Sequence, residues 1–526
     1  MLVDNAVNGD SRVQKIARSA ADAGWHVTLL GRSPDRHSHE WMLGAAQVRL
    51  LPLASLLGTR RHQFRRAWLR GPLGYPPNGV GEVRTQQMKG WQADLAARRA
   101  ELKLEMLAGT ASFLDRKRLG AETRLSNTAQ RWVQFRRKQA SRAEKARKRL
   151  DGPWDRFYTW FWAKVMGDRA WRRLEPALWD WELAFGKTID KLKPDLIHAH
   201  DFRMIGVGAR AALRARGAGR DVKLIWDAHE FLPGIRPRRD DERWMPAHVA
   251  HEREYARYAD AVITVSSGLA DLLQETHRLP EIPSVILNAP SKLDSRTQTG
   301  VSLPNVRDLC AVDPATPLLV YSGAAAPQRG LATIVEALPQ LPTAHAAFIV
   351  NAPDGSYLRG LVKRAAELGV QDRLHVLPYV EHWQVVSFLS AADVGIIPIH
   401  HWPNHEIALI TKFFEYSHAR LPIVVSDMRT MSEMVRHTGQ GEIFKAEDVQ
   451  DLVRAVAAVL ADPQRYRAAY ETPGLLDSWT WEAQAEILDG LYTKLLPGRP
   501  PRRNPEEVSV AQRELVASER TGGALE

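Results

Sequence analysis

The hydrophobic pattern of the first 31 residues predicts a strand, a helix and a second strand. Residues 1–5 and 25–31 have the short apolar runs of buried strands. Between them, residues 10–24 have apolar positions at helical spacing. This segment starts with Asp10 and Ser11, either of which can cap a helix, and ends at a glycine. The three elements together predict a right-handed βαβ unit.

The same alternation of strands and helices returns in two later blocks of the chain. The first block predicts strands at residues 195–199, 223–227, 261–265 and 285–288, and the second at 318–323, 346–351, 374–378, 394–398 and 423–426. Two successive parallel-sheet patterns predict an α/β fold with two doubly wound, Rossmann-like domains. Residues 290–315, which include prolines, serines and a glycine, predict a linker between them.

Residues 58–182 interrupt the first block with helical periodicity, so we expect a helical insertion in the first domain. Its predicted helices span residues 91–119, 122–150 and 154–190. Apolar side chains lie near one face of the first two: Leu95, Leu102 and Met106, then Trp132, Phe135, Ala143 and Leu150. The predicted organisation is a first domain over 1–295, a second over 310–478, a helix at 479–496 returning to the first domain, and a disordered tail over 497–526.

The net charge of +11 over 526 residues conceals a strong local surplus. Residues 51–150 contain 23 lysines and arginines against seven acidic residues, so the rest of the chain is net negative. The single cysteine, Cys310, excludes a disulfide framework. We find no apolar run of about 18 residues and no basic-then-apolar N-terminus, so we expect a cytoplasmic protein without a transmembrane helix or signal peptide.

Two segments of the second domain have residues suited to binding a nucleotide diphosphate. Small residues end the strand at Gly323, and Arg329 precedes a predicted helix; backbone amides and a guanidinium there favour phosphate, although an ordinary turn would have the same pattern. Lys412 and Glu415 lie three residues apart on a predicted helix over 410–419. A carboxylate can accept hydrogen bonds from a ribose diol and a lysine can neutralise phosphate, although a solvated ion pair has the same spacing.

Three histidines of the first domain are candidates for chemistry. His198 and His200 end a predicted strand beside Asp201, and His229 follows another strand. A metal site is the alternative, but neither an Asp-x-Asp nor a His-Glu-x-x-His pattern occurs in the chain, so we expect no metal and no cofactor. A serine nucleophile is not favoured, because no Gly-x-Ser-x-Gly elbow occurs.

These segments together resemble the retaining family 4 glycosyltransferases of the GT-B fold, the glycosyl transferases of group 1. The resemblance covers roughly residues 1–50 and 190–495. Its motifs are residues 321–323, 329–330, 392–398 and 412–427 in the second domain, and 10–13, 194–201, 227–230 and 259–266 in the first. It implies two Rossmann-like domains facing a cleft, the first on the acceptor side and the second binding a nucleoside-diphosphate sugar.

The resemblance also implies roles for individual residues. Glu415 would bind the ribose hydroxyls, Arg329 and Lys412 the diphosphate, Gly323 the close approach of the donor, and the backbone of Tyr379 and Val380 the base. His200 would lie nearest the reacting sugar, with His198 and His229 as rivals. Gly9 and Asp10 are further candidates.

The chain departs from the family pattern at two positions. Many members have a glutamate where this chain has Ile407, and Glu406 is one residue away, which puts its contact with the donor sugar in doubt. Members also often have an arginine where this chain has Ala324, so the phosphate charge would rest on Arg329 and Lys412.

The implied activity is transfer of a hexosyl group to an acceptor hydroxyl with retention, in envelope polysaccharide, glycolipid or glycoconjugate synthesis. One alternative is a nucleotide-sugar epimerase of similar architecture, which would need cleft carboxylates as acid and base. A second is a non-catalytic nucleic-acid-binding or scaffold protein that acts through the basic insertion.

The insertion combines basic residues with aromatic ones. Arg60, Arg61, Arg65, Arg66 and Arg70 lie near its start; Arg136, Arg137, Lys138, Arg142, Lys145, Arg147, Lys148 and Arg149 precede an aromatic cluster of Trp154, Phe157, Tyr158, Trp160, Phe161, Trp162, Trp171, Trp179 and Trp181. This composition suits an anionic membrane surface at the cytoplasmic face, near a lipid-linked acceptor. A solvated basic hairpin with its tryptophans packed on the first domain would have the same composition, and a nucleic-acid partner is less favoured.

Overall fold

The computed structural model describes residues 1–58, 71–76, 79–107, 110, 112–235, 240–292, 304–381 and 383–498, and only the backbone of residues 59 and 60. The chain divides into two compact units. Unit 1 comprises Met1–Ala54, Trp181–Arg236 and His248–Glu526, and unit 2 comprises Ser55–Asp180 and Pro237–Ala247.

The strands of the described residues are β1 (Thr28–Arg32), β2 (His39–Leu43), β3 (Ala46–Leu51), β4 (Leu196–His200), β5 (Lys223–Ala228), β6 (Ala261–Thr264), β7 (Ser284–Val285), β8 (Leu318–Ser322), β9 (His345–Val350), β10 (Leu374–Pro378), β11 (Val394–Ile397), β12 (Ile423–Ser426) and β13 (Gly441–Phe444). The helices are α1 (Ser11–Asp22), α2 (Leu56–Arg60), α3 (Val80–Leu107), α4 (Phe113–Lys148), α5 (Pro153–Met166), α6 (Trp171–Leu174), α7 (Leu178–Leu192), α8 (Asp201–Gly217), α9 (Trp244–Ala256), α10 (Ser267–His277), α11 (Val306–Cys310), α12 (Leu331–Ala337), α13 (Ser356–Glu367), α14 (Val385–Leu389), α15 (Pro403–Ile407), α16 (Thr411–His418), α17 (Arg429–Thr438), α18 (Val449–Ala461), α19 (Pro463–Arg467), α20 (Leu475–Ser478) and α21 (Trp481–Leu495).

The first sheet of unit 1 is built around the N-terminal segment. Leu2 forms parallel bridges to Leu30 of β1 and to Ala199 of β4, so it joins the β1-β3-β2 sheet to the parallel β4-β5-β6-β7 sheet. Helix α1 begins where the Asp10 carboxylate accepts a hydrogen bond from the Val13 amide at 3.2 Å. The residues that follow the N-terminal segment therefore lie at the point where strand order reverses, which is where doubly wound sheets bind ligands.

The second sheet of unit 1 is six-stranded and parallel, in the order β10-β9-β8-β11-β12-β13. Strand order reverses between β8 and β11, so a second ligand-binding crevice is expected beyond their carboxyl ends. Helices cover the sheet with buried residues such as Ile334, Val456 and Phe414. The predicted α/β fold with two Rossmann-like domains is confirmed.

Helix α21 returns from the second sheet to the first. Trp481, Leu488 and Tyr492 are buried with Ile16 of α1 and Ile225 of β5. The burial of this amphipathic face against the first sheet stabilises the return.

Unit 2 is helical. Helices α3 and α4 form a pair joined by polar contacts, such as Gln92 to Gln130 at 2.6 Å and Arg98 to Glu122 at 2.9 Å. The sequence prediction for this pair was partly wrong: α3 ends at Leu107 and α4 begins at Phe113. Ser112 caps α4 by accepting a hydrogen bond from Leu114, and residues 120–121, between the two predicted helices, lie inside α4.

The predicted apolar face of α4 was also partly wrong. Trp132 and Phe135 are exposed and stack on each other at 5.6 Å, whereas Leu119, Val133 and Ala143 are buried. The predicted helix over 154–190 is broken into α5, α6 and α7. Leu119, Ser126 and Val133 recur at seven-residue spacing on the buried side of α4, and Trp132 and Phe135 lie outside that series.

Further differences concern elements that the sequence did not predict. Strands β2 and β3 form a hairpin around Gly44, whose φ of +60° favours glycine, and β13 completes the second sheet. The predicted linker over 290–315 contains α11, with a capping box between Asn305 and Asp308. Residues 293–303 of that linker, residues 499–526 of the predicted tail, and the side chains of Arg60, Arg61, Arg65, Arg66 and Arg70 lie outside the described part of the chain.

Candidate active site

A cavity of about 840 Å³ lies in unit 1 and is lined by residues that follow strands of both sheets. On the second sheet, Ser322 and Gly323 lie at the end of β8, and Ile399 follows β11. On the first, Asn5 and Gly9 follow the N-terminal segment. The cavity therefore lies where both reversals of strand order predict a ligand.

The start of helix α16 forms one wall of the cavity. Lys412 Nζ lies 2.9 Å from Glu415 Oε2 and donates a hydrogen bond to the Tyr379 hydroxyl at 2.7 Å. Burial disfavours the charged ammonium, but Glu415 and Tyr379 raise the pKa of Lys412. Lys412 is therefore charged at neutral pH. Lys412 belongs to the cavity lining, whereas Glu415 is buried behind it and contacts its ammonium.

Packing against β8 and β11 fixes the position of α16. The Ser322 amide donates a hydrogen bond to the hydroxyl of Tyr416, a buried residue of α16, at 2.8 Å. A Cβ at Gly395 would lie 2.5 Å from the Tyr416 ring, so the ring can pass β11 only because that residue is glycine. The strand that ends at the cavity and the helix with Lys412 are thus held in register.

Arg329 lies on the cavity wall at the end of a short 3₁₀ turn. No carboxylate of the described residues forms an ion pair with its guanidinium, which leaves it available to an anion. Gly330 follows with φ of +73°, and a Cβ there would lie 1.7 Å from the Pro398 carbonyl oxygen. This close approach places the arginine beside the segment after β11. Gly323, with φ of +146°, likewise leaves room beside Lys412.

A buried carboxylate organises the opposite wall. Asp227, at the end of β5, binds Arg12 of α1 through both oxygens, at 2.9 Å and 3.1 Å. The same carboxylate lies 3.0 Å from His200 Nδ1 and 2.8 Å from His229 Nε2. Burial alone would raise the pKa of Asp227, but Arg12, His229 and the neighbouring histidines hold it well below its usual value.

His229 lies between two carboxylates. Its Nε2 is bonded to Asp227 and its Nδ1 is 3.3 Å from Asp201. Burial disfavours the imidazolium, but Asp201 and Asp227 raise the pKa of His229 to about 9. Burial raises the pKa of Asp201 to about 7. His229 is therefore an imidazolium at neutral pH, with both ring nitrogens directed at carboxylates.

His229 and the other two histidines occupy different environments. His229 lines the cavity, whereas His198 and His200 are fully buried and do not belong to its lining. Burial lowers the pKa of both, and that of His200 falls well below its usual value. The expectation that His200 lies nearest a bound sugar is thus not supported by its position, because β4 directs it at Asp227.

His198, His200 and Asp227 each offer a ligand atom, and these atoms lie within 4.8 Å of one another. The Nε2 atoms of both histidines have no hydrogen-bond partner among the described residues. However, Arg12 binds both oxygens of Asp227 and His229 adds a second positive charge. The carboxylate of this set is therefore already paired with protein cations, and the set does not fit a metal ion without displacing Arg12.

Hydrogen bonds connect the two walls around the cavity. The Ser266 hydroxyl donates to the Ile407 carbonyl at 2.6 Å, and the Phe231 amide to the Asn404 side chain at 3.1 Å. Lys15 donates to Asn288, whose amide donates in turn to Thr411 Oγ1 at 3.0 Å, one residue before Lys412. The two walls are therefore joined by hydrogen bonds at three places.

Of the remaining candidate residues, some line the cavity and others lie outside it. Gly9 and Asp10 line the cavity beside α1. Val380 is partly buried against the core of the second domain and lies outside the lining. Glu406 accepts a hydrogen bond from the Arg429 amide at the start of α17 and also lies outside it, whereas Ile407 lines it. The cavity wall at this point is thus apolar.

The sequence pattern predicted no role for Arg12, Asp227 or Asn288. Arg12 was detectable, because it lies on the same helical face as Val13 and Ile16, and a charge on a buried face indicates an ion pair. Asp227 ends an apolar strand, which is a similar indication. The contact of Asn288 with Thr411 depends on the pairing of two domains, which no local pattern reveals.

The raised pKa of His229 predicts a pH-dependent stability. Because its pKa in the folded state is about 9 and its ordinary value is 6.5, its contribution is fully present below pH 6.5 and is lost as pH rises through 9. We expect the difference in unfolding free energy between the native chain and His229→Gln to shrink by about 3 kcal/mol over that interval. Urea unfolding at several pH values measures this difference. A difference that stays constant with pH would contradict the assigned imidazolium.

Two family models match the chain. The model Glycosyltransferase Family 4 matches residues 140–289, and the model Glycosyl transferases group 1 matches residues 311–472. Together they span more than half of the sequence, and each covers part of one Rossmann-like domain.

Individual relatives agree with these matches. The chain is 25% identical over 311 residues to an uncharacterized glycosyltransferase of Methanocaldococcus jannaschii, covering 57% of this chain and 75% of that protein. It is 26% identical over 194 residues to a D-inositol 3-phosphate glycosyltransferase of Nocardia farcinica, covering 32% of this chain and 42% of that protein. The chain thus spans less than half the length of the second relative.

The fold is also that of solved glycosyltransferase structures. A sucrose-phosphate synthase from Thermosynechococcus elongatus superposes with a TM-score of 0.56 over 92% of both chains, at 16% identity. The family matches, the relatives and this architecture confirm the resemblance inferred from the sequence: the chain belongs to the family 4 glycosyltransferases of the GT-B fold.

Proposed function

We propose that this glycosyltransferase moves a sugar from a nucleoside-diphosphate donor to an acceptor hydroxyl with retention of anomeric configuration. The observation that supports this most is the arrangement of one cavity, with Arg329 and Lys412 on one wall and His229 on the other. Two cations suit a diphosphate, and the volume of about 840 Å³ lies in the range of small-molecule sites.

The donor nucleotide would bind to the second domain. Glu415 binds Lys412 through Oε2, which leaves Oε1 without a hydrogen-bond partner among the described residues. A ribose diol can donate to that oxygen, and the Lys412 ammonium next to it can bind a phosphate oxygen. Arg329, which also lines the cavity, would bind the second phosphate. The predicted base contacts at Tyr379 and Val380 remain part of this proposal.

The chemical step breaks the bond between the anomeric carbon and a phosphate oxygen. The electron pair stays on the departing diphosphate, where Arg329 and Lys412 stabilise the growing negative charge. The acceptor hydroxyl attacks from the face that the diphosphate leaves, and its proton passes to a departing phosphate oxygen. No protein nucleophile takes part in this scheme.

His229, rather than His200, would be the first-domain histidine beside the sugar. Both of its ring nitrogens face carboxylates, so it has no free lone pair and cannot act as a base while protonated. We assign it an electrostatic and positioning role, in which Asp227 and Asp201 hold the ring against the cavity. The Asp227–Arg12 pair fixes that geometry from behind.

For the wider role of the enzyme, we propose a hexosyl group as cargo and a glycolipid, envelope polysaccharide or other glycoconjugate as acceptor. The Nocardia relative is named for an inositol phosphate acceptor, which supports a hydroxyl as the glycosylated group. A lipid-linked acceptor is part of this proposal.

The donor assignment predicts which substitutions weaken nucleotide binding. Glu415→Gln and Arg329→Ala should each lower the affinity for the cognate nucleoside diphosphate by about 1.5–3 kcal/mol, because the first replaces a charged acceptor with a neutral one and the second removes a charged donor. The nucleotide is first identified by the rise in melting temperature that it causes among UDP, GDP, ADP and dTDP. Titration calorimetry then measures the affinities.

The matched controls are Glu367→Gln and Lys363→Ala. These residues form an exposed ion pair on α13 of the same domain and do not belong to the cavity lining. Both should bind the nucleotide like the native chain. Unaltered affinity in Glu415→Gln and Arg329→Ala together would refute the donor site.

The arrangement of cations predicts activity without a divalent metal ion. Arg329 and Lys412 provide positive charge where the leaving diphosphate develops its negative charge, a task that Mg²⁺ performs in many other transferases. The rate of nucleotide release should therefore be largely unaffected by EDTA. If chelation abolishes turnover and Mg²⁺ or Mn²⁺ restores it, the proposed stabilisation of the leaving group is wrong.

A further inference from the structure

Helix α5 of unit 2 exposes its large aromatic residues and buries two polar ones. Its aromatic residues Trp154, Phe157, Trp160 and Phe161 are 64%, 50%, 61% and 40% exposed. Its buried residues are instead Asp155 and Thr159, at 3% and 7%. Isolated exposed apolar residues are common, but four large aromatic residues on one short helix indicate a binding surface.

Contacts within unit 2 fix this orientation. The buried carboxylate of Asp155 accepts a hydrogen bond from Arg243 at 2.7 Å. The Arg243 guanidinium also lies over the ring of Tyr158, 4.1 Å from its centroid. A rotation of α5 that buried its aromatic face would separate this ion pair and expose Tyr158. The aromatic residues therefore remain outside.

The exposed residues form one continuous surface, which we call the aromatic face: Trp154, Phe157, Trp160 and Phe161. The Phe157 ring centroid lies 5.5 Å, 6.0 Å and 6.1 Å from those of the other three. A helix of 14 residues is about 21 Å long, so the face is an elongated strip.

The exposed charges on helix α5 itself have one sign. Arg156 and Lys164 are exposed on α5, and Asp155, its single acidic residue, is buried against Arg243. The preceding helix α4 ends with Lys145, Arg147 and Lys148. A second copy of this chain would bring the same positive charges against one another, which disfavours self-association through this face. An anionic partner is favoured by the same charges.

We propose that the aromatic face docks the protein on an anionic lipid bilayer. Tryptophan and phenylalanine rings enter the headgroup boundary of a bilayer, and an amphipathic helix with flanking basic residues lies in its plane. Arg156 and Lys164 would bind lipid phosphates beside the inserted rings. No helix of the described residues is both long and apolar enough to cross a membrane, so this contact is a surface one.

The test is flotation of the full chain with vesicles of phosphatidylcholine, with and without phosphatidylglycerol. The native protein should float with the anionic vesicles and less so at high salt, because salt screens the charges. The variant Trp154→Ser/Phe157→Ser/Trp160→Ser/Phe161→Ser should bind about tenfold more weakly or not at all. It changes only exposed side chains, so its melting temperature should be near that of the native chain.

Two further variants complete the design. The control Leu183→Ser/Ile282→Ser/Ile487→Ser removes exposed apolar residues of unit 1 and should bind vesicles like the native chain. Arg156→Glu/Lys164→Glu retains the aromatic residues and should lose the preference for phosphatidylglycerol, which tests the proposal even if the serine variant fails to fold.

Three results would overturn the proposal. The first is undiminished binding of the serine and glutamate variants to anionic vesicles, and the second is equal binding of the native chain to neutral vesicles. The third is a native dimer in light scattering that the serine variant converts to a monomer while neither binds vesicles. That result would assign the aromatic face to a second copy.

Discussion

The buried carboxylate of Asp227 is the interaction on which the first-domain wall depends. It accepts hydrogen bonds from Arg12 and contacts His200 and His229, so it ties α1 and β4 to the end of β5. Arg12 also donates to the Ile286 carbonyl beyond β7. Removal of one partner from such a pair leaves an unpaired buried charge, at a cost of about 3–5 kcal/mol. Each of these side chains therefore depends on the others, and the network as a whole places His229 at the cavity.

The second-domain wall is also held by buried contacts, with fewer charged groups. Tyr416 connects α16 to the end of β8, and Gly395 and Gly330 allow close approaches that any Cβ would prevent. Lys412 is thereby fixed at the cavity with Glu415 beside it. The second-domain wall thus presents the cations Arg329 and Lys412 to the cavity, and the first-domain wall presents the imidazolium of His229. This arrangement fits a reaction in which a diphosphate leaves while a sugar is held still.

The sequence predicted the fold well because its strands are continuous apolar runs that end in small or polar residues, as at Ser322 and Asp227. The pairing of Lys412 with Glu415 was also predictable, since it depends on helical spacing alone. The ranking of His200 above His229 came from the family resemblance alone, because both histidines lie at strand ends; the structure shows that His200 is fully buried and that His229 lines the cavity. The aromatic cluster near residue 154 was similarly ambiguous. Trp171 of α6 is buried, whereas Trp154 is exposed because the buried Asp155–Arg243 ion pair orients α5.

The most direct test of this account is hydrogen–deuterium exchange of the full native chain, with and without the nucleoside diphosphate that raises its melting temperature. Slower exchange is predicted in residues 322–330 and 409–416, the segments that contain the cavity residues proposed to bind the nucleotide, and unaltered exchange in helices α3 to α5. Slower exchange confined to α3–α5, or no change in either cavity segment, would contradict a nucleotide site in the second domain.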